Sequence, residues 1–440
     1  MTTIVMGKAA PGSPVDQSVN AAGELALRLT GAALQVIATV VVVRALAPQA
    51  VGIYFEGFVI ALALASLLRG KYEMLVLRYV LGESAQQTCI PVIDLLTALS
   101  KRIAIRCVLV CGVLLVVIAD LDIMEPRLRA FLDTFLPFVL AVPFLAVALF
   151  LSSALRAARR SIGSTIISAY AVNLAVILSG LIASPENALV MMSWAFVAGS
   201  AVASVIGILL VRKVFPAGLK RGVPQPCVAD WRQIYGLAAF DYGIAGLAFS
   251  ALQWGPLCVL AIAGPALQIA EVAVTLRLAL AVELMMPALV FVPLGLNIAS
   301  RLIETLSTER GRLVANLVLS ALAASGFSFV LMIFVPQLLG ELGAPYAELT
   351  GLFVILLAAQ WINAAARPAL RFMTTYHYKP VLQALCLSAV IALIIALFGV
   401  NQHGAYAVAT ATLIGTLVLN AHSLLAALRQ SSGQVIAPPA

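Results

Sequence analysis

Residues 367–403 read RPALRFMTTYHYKPVLQALCLSAVIALIIALFGVNQH. Three basic side chains, Arg367, Arg371 and Lys379, precede a run at 380–400 that contains no charged residue. An apolar run of about 20 residues is long enough to cross roughly 30 Å of hydrocarbon as a helix. Because basic loops are retained on the cytoplasmic side of a membrane, this stretch predicts a transmembrane helix that starts in the cytoplasm.

The same alternation of apolar run and polar gap recurs along the whole chain. Hydrophobic residues make up 62% of the sequence and charged residues 10%, whereas soluble domains are about half apolar and a quarter charged. The pattern predicts an all-α membrane protein with about twelve transmembrane helices, at residues 21–43, 49–68, 103–119, 131–155, 163–183, 189–211, 234–263, 268–298, 313–335, 349–365, 380–400 and 405–428.

Positive charge is distributed unequally between alternate gaps. Of the 27 Lys and Arg residues, 22 lie on one side, three lie on the other, and Arg28 and Arg277 lie inside predicted spans. The positive-inside rule therefore predicts that both termini are cytoplasmic. The net charge of +8 follows from this bias and indicates contact with anionic lipid headgroups rather than with nucleic acid.

The chain repeats weakly at about half its length. Arg156 and Arg160 follow the fourth span as Arg367 and Arg371 follow the tenth. We therefore expect two six-helix lobes related by a parallel pseudo-two-fold repeat, with a substrate path between them. The predicted units are a cytoplasmic tail at 1–20, an N-terminal lobe at 21–213, a linker at 214–232, a C-terminal lobe at 233–428 and a second tail at 429–440. The segment starting at Pro91 is predicted to lie at the membrane surface as a helix before the third span.

Arg277 is the most informative charged residue inside a span. It lies about 13 Å from the nearer end of the eighth helix at 1.5 Å per residue, and a charge at that depth is costly enough to require a role. Glu283 lies six residues further on, which is a different helix face. Arg277 therefore either faces a polar cavity, where it binds an anion, or forms a structural pair with another helix.

Four other charged residues are candidates for a role inside the membrane. Arg28 lies one turn after Glu24, so the two side chains can neutralise each other, and Arg28 is the second candidate for binding an anion. Asp241 lies about 12 Å into the seventh span. A buried carboxylate there either binds a coupling ion, sodium or a proton, or pairs with one of the two arginines. Glu283 has the same two interpretations.

No catalytic or metal-binding arrangement is predicted. The three histidines and six cysteines share no metal-like spacing with one another or with carboxylates. No phosphate-binding or nucleophile motif lies in a suitable strand–helix context. We therefore predict no cofactor, no metal and no enzymatic activity.

One stretch resembles a family signature. The string Arg44-Ala-Leu-Ala-Pro-Gln-Ala-Val-Gly52-Ile-Tyr54 resembles the R-x-L-G-P-x-x-x-G-x-Y motif between the first two helices of Wzx-type polysaccharide and O-antigen flippases. These proteins are the polysaccharide-export branch of the multidrug/oligosaccharidyl-lipid/polysaccharide (MOP) exporter superfamily. Ala47 replaces a glycine of that motif. The stretch starting at Gly70-Lys71 is similar to the family's basic-aromatic-Glu motif, and Gly264-Pro265 begins a shortened second copy of the first.

The resemblance implies a function. It implies two lobes that open alternately to each side of the bacterial inner membrane, around a cavity lined by the first, second, seventh and eighth helices. Its expected cargo is an oligosaccharide linked to undecaprenyl diphosphate, destined for surface polysaccharide, with polysaccharide polymerase or export proteins as partners. The alternatives are a drug or cation antiporter of the same superfamily and a membrane glycan polymerase or ligase. Short external gaps argue against the last, because such an enzyme needs a large external loop.

Overall fold

A computed structural model describes residues 14–70, 72, 76, 92–124, 126–158, 160–215, 231–282, 309–376 and 378–431. Within these ranges the regular elements are all helices, joined by short turns, and there is no β-strand. The helices of the first half are α1 (Pro14–Ala45), α2 (Pro48–Arg69), α3 (Val92–Met124), α4 (Pro126–Ala157), α5 (Ser161–Thr165), a π-helical segment (Ile166–Tyr170), α6 (Ala171–Ile182) and α7 (Ala188–Val214).

The second half continues in the same way. Its helices are α8 (Trp231–Ala263), α9 (Ala266–Ala279), α10 (Glu309–Glu341), α11 (Ala344–Ala347), α12 (Thr350–Tyr376), α13 (Tyr378–His403) and α14 (Ala405–Ser431). Prolines inside α4, α8, α10 and α12 do not end those helices.

Ten helical segments of the described chain are long and apolar enough to cross a membrane. They coincide with ten of the twelve predicted spans, and the run from Ile162 to Ile182 counts as one of them. The third predicted span lies within α3. The eighth begins in α9 and continues into residues 283–298, outside the described part. The prediction of a multi-pass, all-α membrane protein is confirmed.

The start of α3 differs from the prediction. The segment after Pro91 was expected to form a separate surface helix, but Val92–Met124 is one continuous helix. It therefore extends the predicted third span by about three turns at its N-terminal end. No proline or glycine interrupts residues 92–103, so nothing in the backbone favours a break there.

The helices pack as two lobes that follow chain order. In the N lobe α4 packs against α2, α3 and α7, and α6 packs against α1 and α7. In the C lobe α12 and α13 both pack on α14, α8 packs on α13, and α10 on α12. Residues 216–230 of the predicted linker lie outside the described residues, so the lobe boundaries remain a prediction.

The two lobes meet mainly where α2 packs against α8 and α9. At the first turns of α2 and α9 the backbones nearly touch. A Cβ atom built on Gly52 would lie 2.0 Å from the carbonyl oxygen of Ala266. Deeper along α2, the Ser250 hydroxyl of α8 donates a 2.9 Å hydrogen bond to the carbonyl oxygen of Ala63. Gly52 therefore allows an interlobe contact that no other residue type would permit, and this is a physical reason for the glycine in the signature.

We predict that Gly52→Ala weakens the contact between the lobes. The added methyl group would overlap the α9 backbone, which has to move away, at a cost of about 1–3 kcal/mol for an overpacked site. The expected result is a lower midpoint of thermal unfolding in detergent. Gly112→Ala is the matched control, because a Cβ at Gly112 meets nothing within 4 Å. Equal midpoints for the two variants would contradict the prediction.

Candidate functional site

Arg277 lies at the boundary between the lobes. It belongs to α9, eleven residues after the first residue of that helix, which is about 16 Å along the axis at 1.5 Å per residue. Only 8% of the residue is exposed. All its contacts described below are with N-lobe residues, so in this conformation the side chain is covered by the opposite lobe rather than open to a cleft.

A hydrogen bond joins Arg277 to the first turn of α6. The Nη2 atom of Arg277 donates to the Oδ1 atom of Asn173 at 3.1 Å. The Nδ2 atom of the same amide donates to the carbonyl oxygen of Ala169 at 2.7 Å. Since the amide nitrogen is engaged within its own helix, the amide oxygen is left to face the guanidinium. Asn173 therefore bridges the two lobes, as polar side chains inside a membrane commonly join helices.

The π-helical segment holds this part of α6 against α1. Such segments are rare and often occur at functional sites. The Tyr170 hydroxyl at its end donates to the carbonyl oxygen of Leu27 at 2.7 Å and is also hydrogen-bonded to the Thr30 hydroxyl. Ala169, which accepts the bond from Asn173, belongs to the same segment. The segment therefore fixes the amide of Asn173 and the adjacent turn of α1 relative to each other.

Two aromatic rings of α2 form the other side of the site. The Cζ atom of Arg277 lies 4.6 Å from the centroid of the Phe58 ring and 5.7 Å from that of Phe55. Both distances lie within the range of a cation–π interaction, which stabilises by about 0.5–2 kcal/mol. Phe58 packs edge-on against Phe196 of α7, with centroids 5.4 Å apart, and Phe55 contacts Tyr54 at the same distance. The rings that support Phe55 and Phe58 in these contacts, Tyr54 and Phe196, both belong to the N lobe.

The backbone of Arg277 makes a third connection. Its carbonyl oxygen accepts a hydrogen bond of 3.0 Å from the Nε2 atom of Gln35 in α1. Three N-lobe helices, α1, α2 and α6, therefore converge on one C-lobe residue.

The charge of Arg277 has no acidic partner among the described residues. Its partners there are a neutral amide oxygen and two rings. The Tyr54 hydroxyl of α2 is buried and makes no hydrogen bond within the described part. A buried charge without a counter-ion is costly. The site therefore carries net positive charge from the groups described and is suited to an anion.

The other predicted site residues are described less completely. Arg28 is half-buried in α1 and interacts with another group; it lies seven residues before Gln35, about 10 Å along the helix. Glu24 and Asp241 belong to α1 and α8, but their side chains lie outside the described part of the chain, as does all of Glu283. The roles of Asp241 and Glu283 in ion coupling therefore remain predictions.

Sequence reasoning did not single out Gln35, Phe55 or Phe58. The two phenylalanines are three residues apart on one helix, so they share a face. That spacing is a signal for a ring pair, but apolar helices contain many such pairs. Only the fold shows that this pair faces an arginine more than 200 residues further along the chain.

We predict that Asn173→Asp stabilises this conformation at neutral pH. The variant keeps the acceptor oxygen and adds a negative charge beside Arg277. A hydrogen bond to a charged group contributes about 1.5–3 kcal/mol, which exceeds the roughly 1 kcal/mol of the neutral bond from Nδ2 to the Ala169 carbonyl oxygen that is lost. The midpoint of thermal unfolding should rise. Asn363→Asp is the control, because Asn363 accepts its bond from the neutral Asn420 amide at 2.9 Å, so a new charge there should lower the midpoint. A lower unfolding midpoint for both variants would contradict the hydrogen bond between Arg277 and Asn173.

No protein-family model matches the sequence, and no curated protein matches it. Solved structures do match in fold. A multidrug resistance MATE family transporter of the MOP superfamily is 15% identical in its outward-facing conformation, with 96% of each chain covered and a TM-score of 0.60. An inward-facing MATE family structure is 16% identical, with 93% of this chain and 100% of that chain covered and a TM-score of 0.57.

A third similar structure is a MOP superfamily transporter from Pyrococcus furiosus. It is 14% identical, covers 96% of each chain and has a TM-score of 0.56. Its binding pocket has reverse polarity, which suggests a different function for that protein. At these levels of identity the likeness concerns the fold alone. The chain has the fold of the MATE family transporters of the MOP superfamily.

Proposed function

We propose that this protein is a flippase of undecaprenyl-diphosphate-linked oligosaccharide. It would move repeat units across the bacterial inner membrane by alternating access, for export of a surface polysaccharide. The observation that carries the proposal is the buried guanidinium of Arg277 at the lobe boundary, which has neutral partners and no acidic partner among the described residues. The fold shared with MOP superfamily transporters supports transport as the general activity.

The chemistry of the cargo suits an arginine at this position. The barrier to flipping is the transfer of a diphosphate and a sugar chain through hydrocarbon, while the polyprenyl tail stays in lipid. A guanidinium remains charged when buried and can bind a phosphate through two parallel hydrogen bonds. Arg277 is the first proposed diphosphate contact and Arg28 the second.

The lobe boundary is the expected place for the path. Parallel six-helix repeats bind their substrates where the repeats meet, and Arg277 contacts the N lobe across that boundary. We propose the N-terminal lobe at 21–213, the C-terminal lobe at 233–428 and both termini in the cytoplasm. Sodium or proton coupling would use Asp241 or Glu283, and Glu24 would act with Arg28. Polysaccharide polymerase or export proteins would receive the cargo.

We predict that Arg277 dominates binding of a diphosphate. Purified protein in lipid nanodiscs should bind farnesyl diphosphate, a short-chain probe of the headgroup, and Arg277→Ala should lower the affinity roughly 10- to 100-fold, since a hydrogen bond to a charged group contributes about 1.5–3 kcal/mol. Arg277→Lys should recover part of the affinity through its charge but lack the bidentate geometry.

Arg310→Ala is the matched control for that experiment. It removes the same charge from an exposed position in the first turn of α10, and it should leave diphosphate affinity within about twofold of wild type. Equal affinity for wild type and Arg277→Ala would remove the proposed contact.

Export of organic cations is a second candidate function. Two observations favour it: the similar structures include multidrug resistance transporters, and aromatic faces such as those of Phe55 and Phe58 bind cations. Titration with tetraphenylphosphonium separates the two. Binding of this cation without binding of farnesyl diphosphate would support the drug exporter and overturn the flippase.

In cells, the flippase and polymerase functions leave lipid-linked sugars on different leaflets. We predict that a strain carrying Arg277→Ala as its sole copy accumulates lipid-linked repeat units facing the cytoplasm and loses surface polymer, at protein levels equal to wild type. Accumulation on the outer leaflet would instead indicate a polymerase. Unchanged polymer export at equal protein level would take Arg277 out of the mechanism.

A further inference from the structure

We infer that the N lobe carries a guanidinium-binding site, the cage formed by Phe55, Phe58 and Asn173, and that Arg277 is its tethered ligand. Occupancy of the cage holds the two lobes together in this conformation. The inference goes beyond the proposed function, because it requires no cargo. It also assigns to the N lobe a site for a chemical class, planar organic cations, that is opposite in charge to the diphosphate.

The cage has the features of a preformed site. The rings of Phe58 and Phe55 are held by Phe196 and Tyr54, and Asn173 is held through Ala169. None of these supporting contacts involves the C lobe. The cage therefore keeps its shape when Arg277 is absent, and a ligand entering it does not need to order its walls.

The ligand of the cage has to be flat and cationic. The guanidinium plane can lie on a ring face while an in-plane N–H group points at an acceptor, and here Nη2 reaches the Asn173 oxygen at 3.1 Å while Cζ lies 4.6 Å from the Phe58 centroid. A tetrahedral ammonium provides the charge but not this combination of stacking and in-plane donation. A free guanidinium ion is therefore the expected substitute for the side chain.

The contacts of the cage cross the lobe boundary, so they oppose separation of the lobes. The cage residues lie on α2 and α6, whereas Arg277 lies on α9. The contact between Gly52 of α2 and Ala266 of α9 joins two of these three helices near their N-terminal ends. Any motion that parts α9 from α2 and α6 has to withdraw Arg277 from the cage. If Arg277 also binds the cargo diphosphate, which rests on the proposed function, the cage and the diphosphate compete for one side chain.

The test measures the separation of the lobes without cargo. Two exposed positions carry spin labels: Gln49 in the first turn of α2 and Leu267 in the first turn of α9. Pulsed electron paramagnetic resonance then measures the distance between the labels across the lobe boundary. The experiment uses the full-length protein in nanodiscs, with its six native cysteines replaced by serine before the two labelling cysteines are introduced. Wild type should give mainly the short distance, and Arg277→Ala should at least double the fraction of molecules at longer distances.

Chemical rescue tests the cage itself. Millimolar guanidinium chloride should restore the short distance in Arg277→Ala, whereas equal concentrations of sodium chloride or tetramethylammonium chloride should not. Phe58→Leu, added to Arg277→Ala, keeps an apolar side chain of similar size but removes the ring, and it should reduce the rescue at least fivefold. Asn173→Asp should increase the short-distance fraction in the presence of Arg277, and it provides a readout should Arg277→Ala fail to fold.

Each other outcome overturns the inference. An unchanged distance distribution in Arg277→Ala shows that the side chain does not hold the lobes together. Rescue by guanidinium no better than by sodium, or equal rescue with and without the Phe58 ring, shows that the cage is not the binding site. The distance and rescue measurements contain no diphosphate, so they keep their meaning if the flippase proposal fails. Conversely, if the cage does not hold the lobes together, the binding measurements with farnesyl diphosphate still test the flippase proposal.

Discussion

A guanidinium buried at the lobe boundary has to be compensated by something other than water, and the contacts around Arg277 follow from this constraint. Hydrocarbon on the outside and apolar helices on the inside provide no solvent for the charge of Arg277. Among the described residues, the rings of Phe55 and Phe58 and the amide oxygen of Asn173 stabilise this charge. Each of these groups is neutral, so each interacts less strongly with the arginine than a carboxylate would. Attraction of this strength is suited to a contact that has to form and break repeatedly.

The fold was predictable from the sequence because the bilayer restricts the options. A helix is the structure in which a single segment satisfies all its backbone groups internally, so apolar runs of sufficient length predict spans, and basic gaps predict orientation. The start of α3 was missed because hydropathy marks where a helix enters hydrocarbon and not where it begins. The π-helical segment was missed for a similar reason: residues 166–170 read as an ordinary part of an apolar helix.

The candidate site was predictable only in part. The depth of Arg277 in its span indicated that it lies among other helices, since lipid would not tolerate it. Its partners were not predictable, because Asn173 and Phe58 lie on other helices of the other lobe and no local periodicity links them to α9. The glycine at position 52 belongs to a recognisable motif, yet the motif does not show what it contacts. The structure shows that the α9 backbone occupies the space where a side chain would be.

The π-helical segment has a consequence for the angle at which Asn173 projects from its helix. A segment of this kind accommodates one residue more than regular α-helix in the same turn. If the five residues 166–170 wound as regular α-helix instead, every following side chain would be rotated by about 100° around the axis, since an α-helix has 3.6 residues per turn. Asn173 would then turn away from α9, while the length and hydropathy of the span would hardly change. One inserted residue therefore sets the direction in which the Asn173 amide points, and with it the hydrogen bond that joins the two lobes.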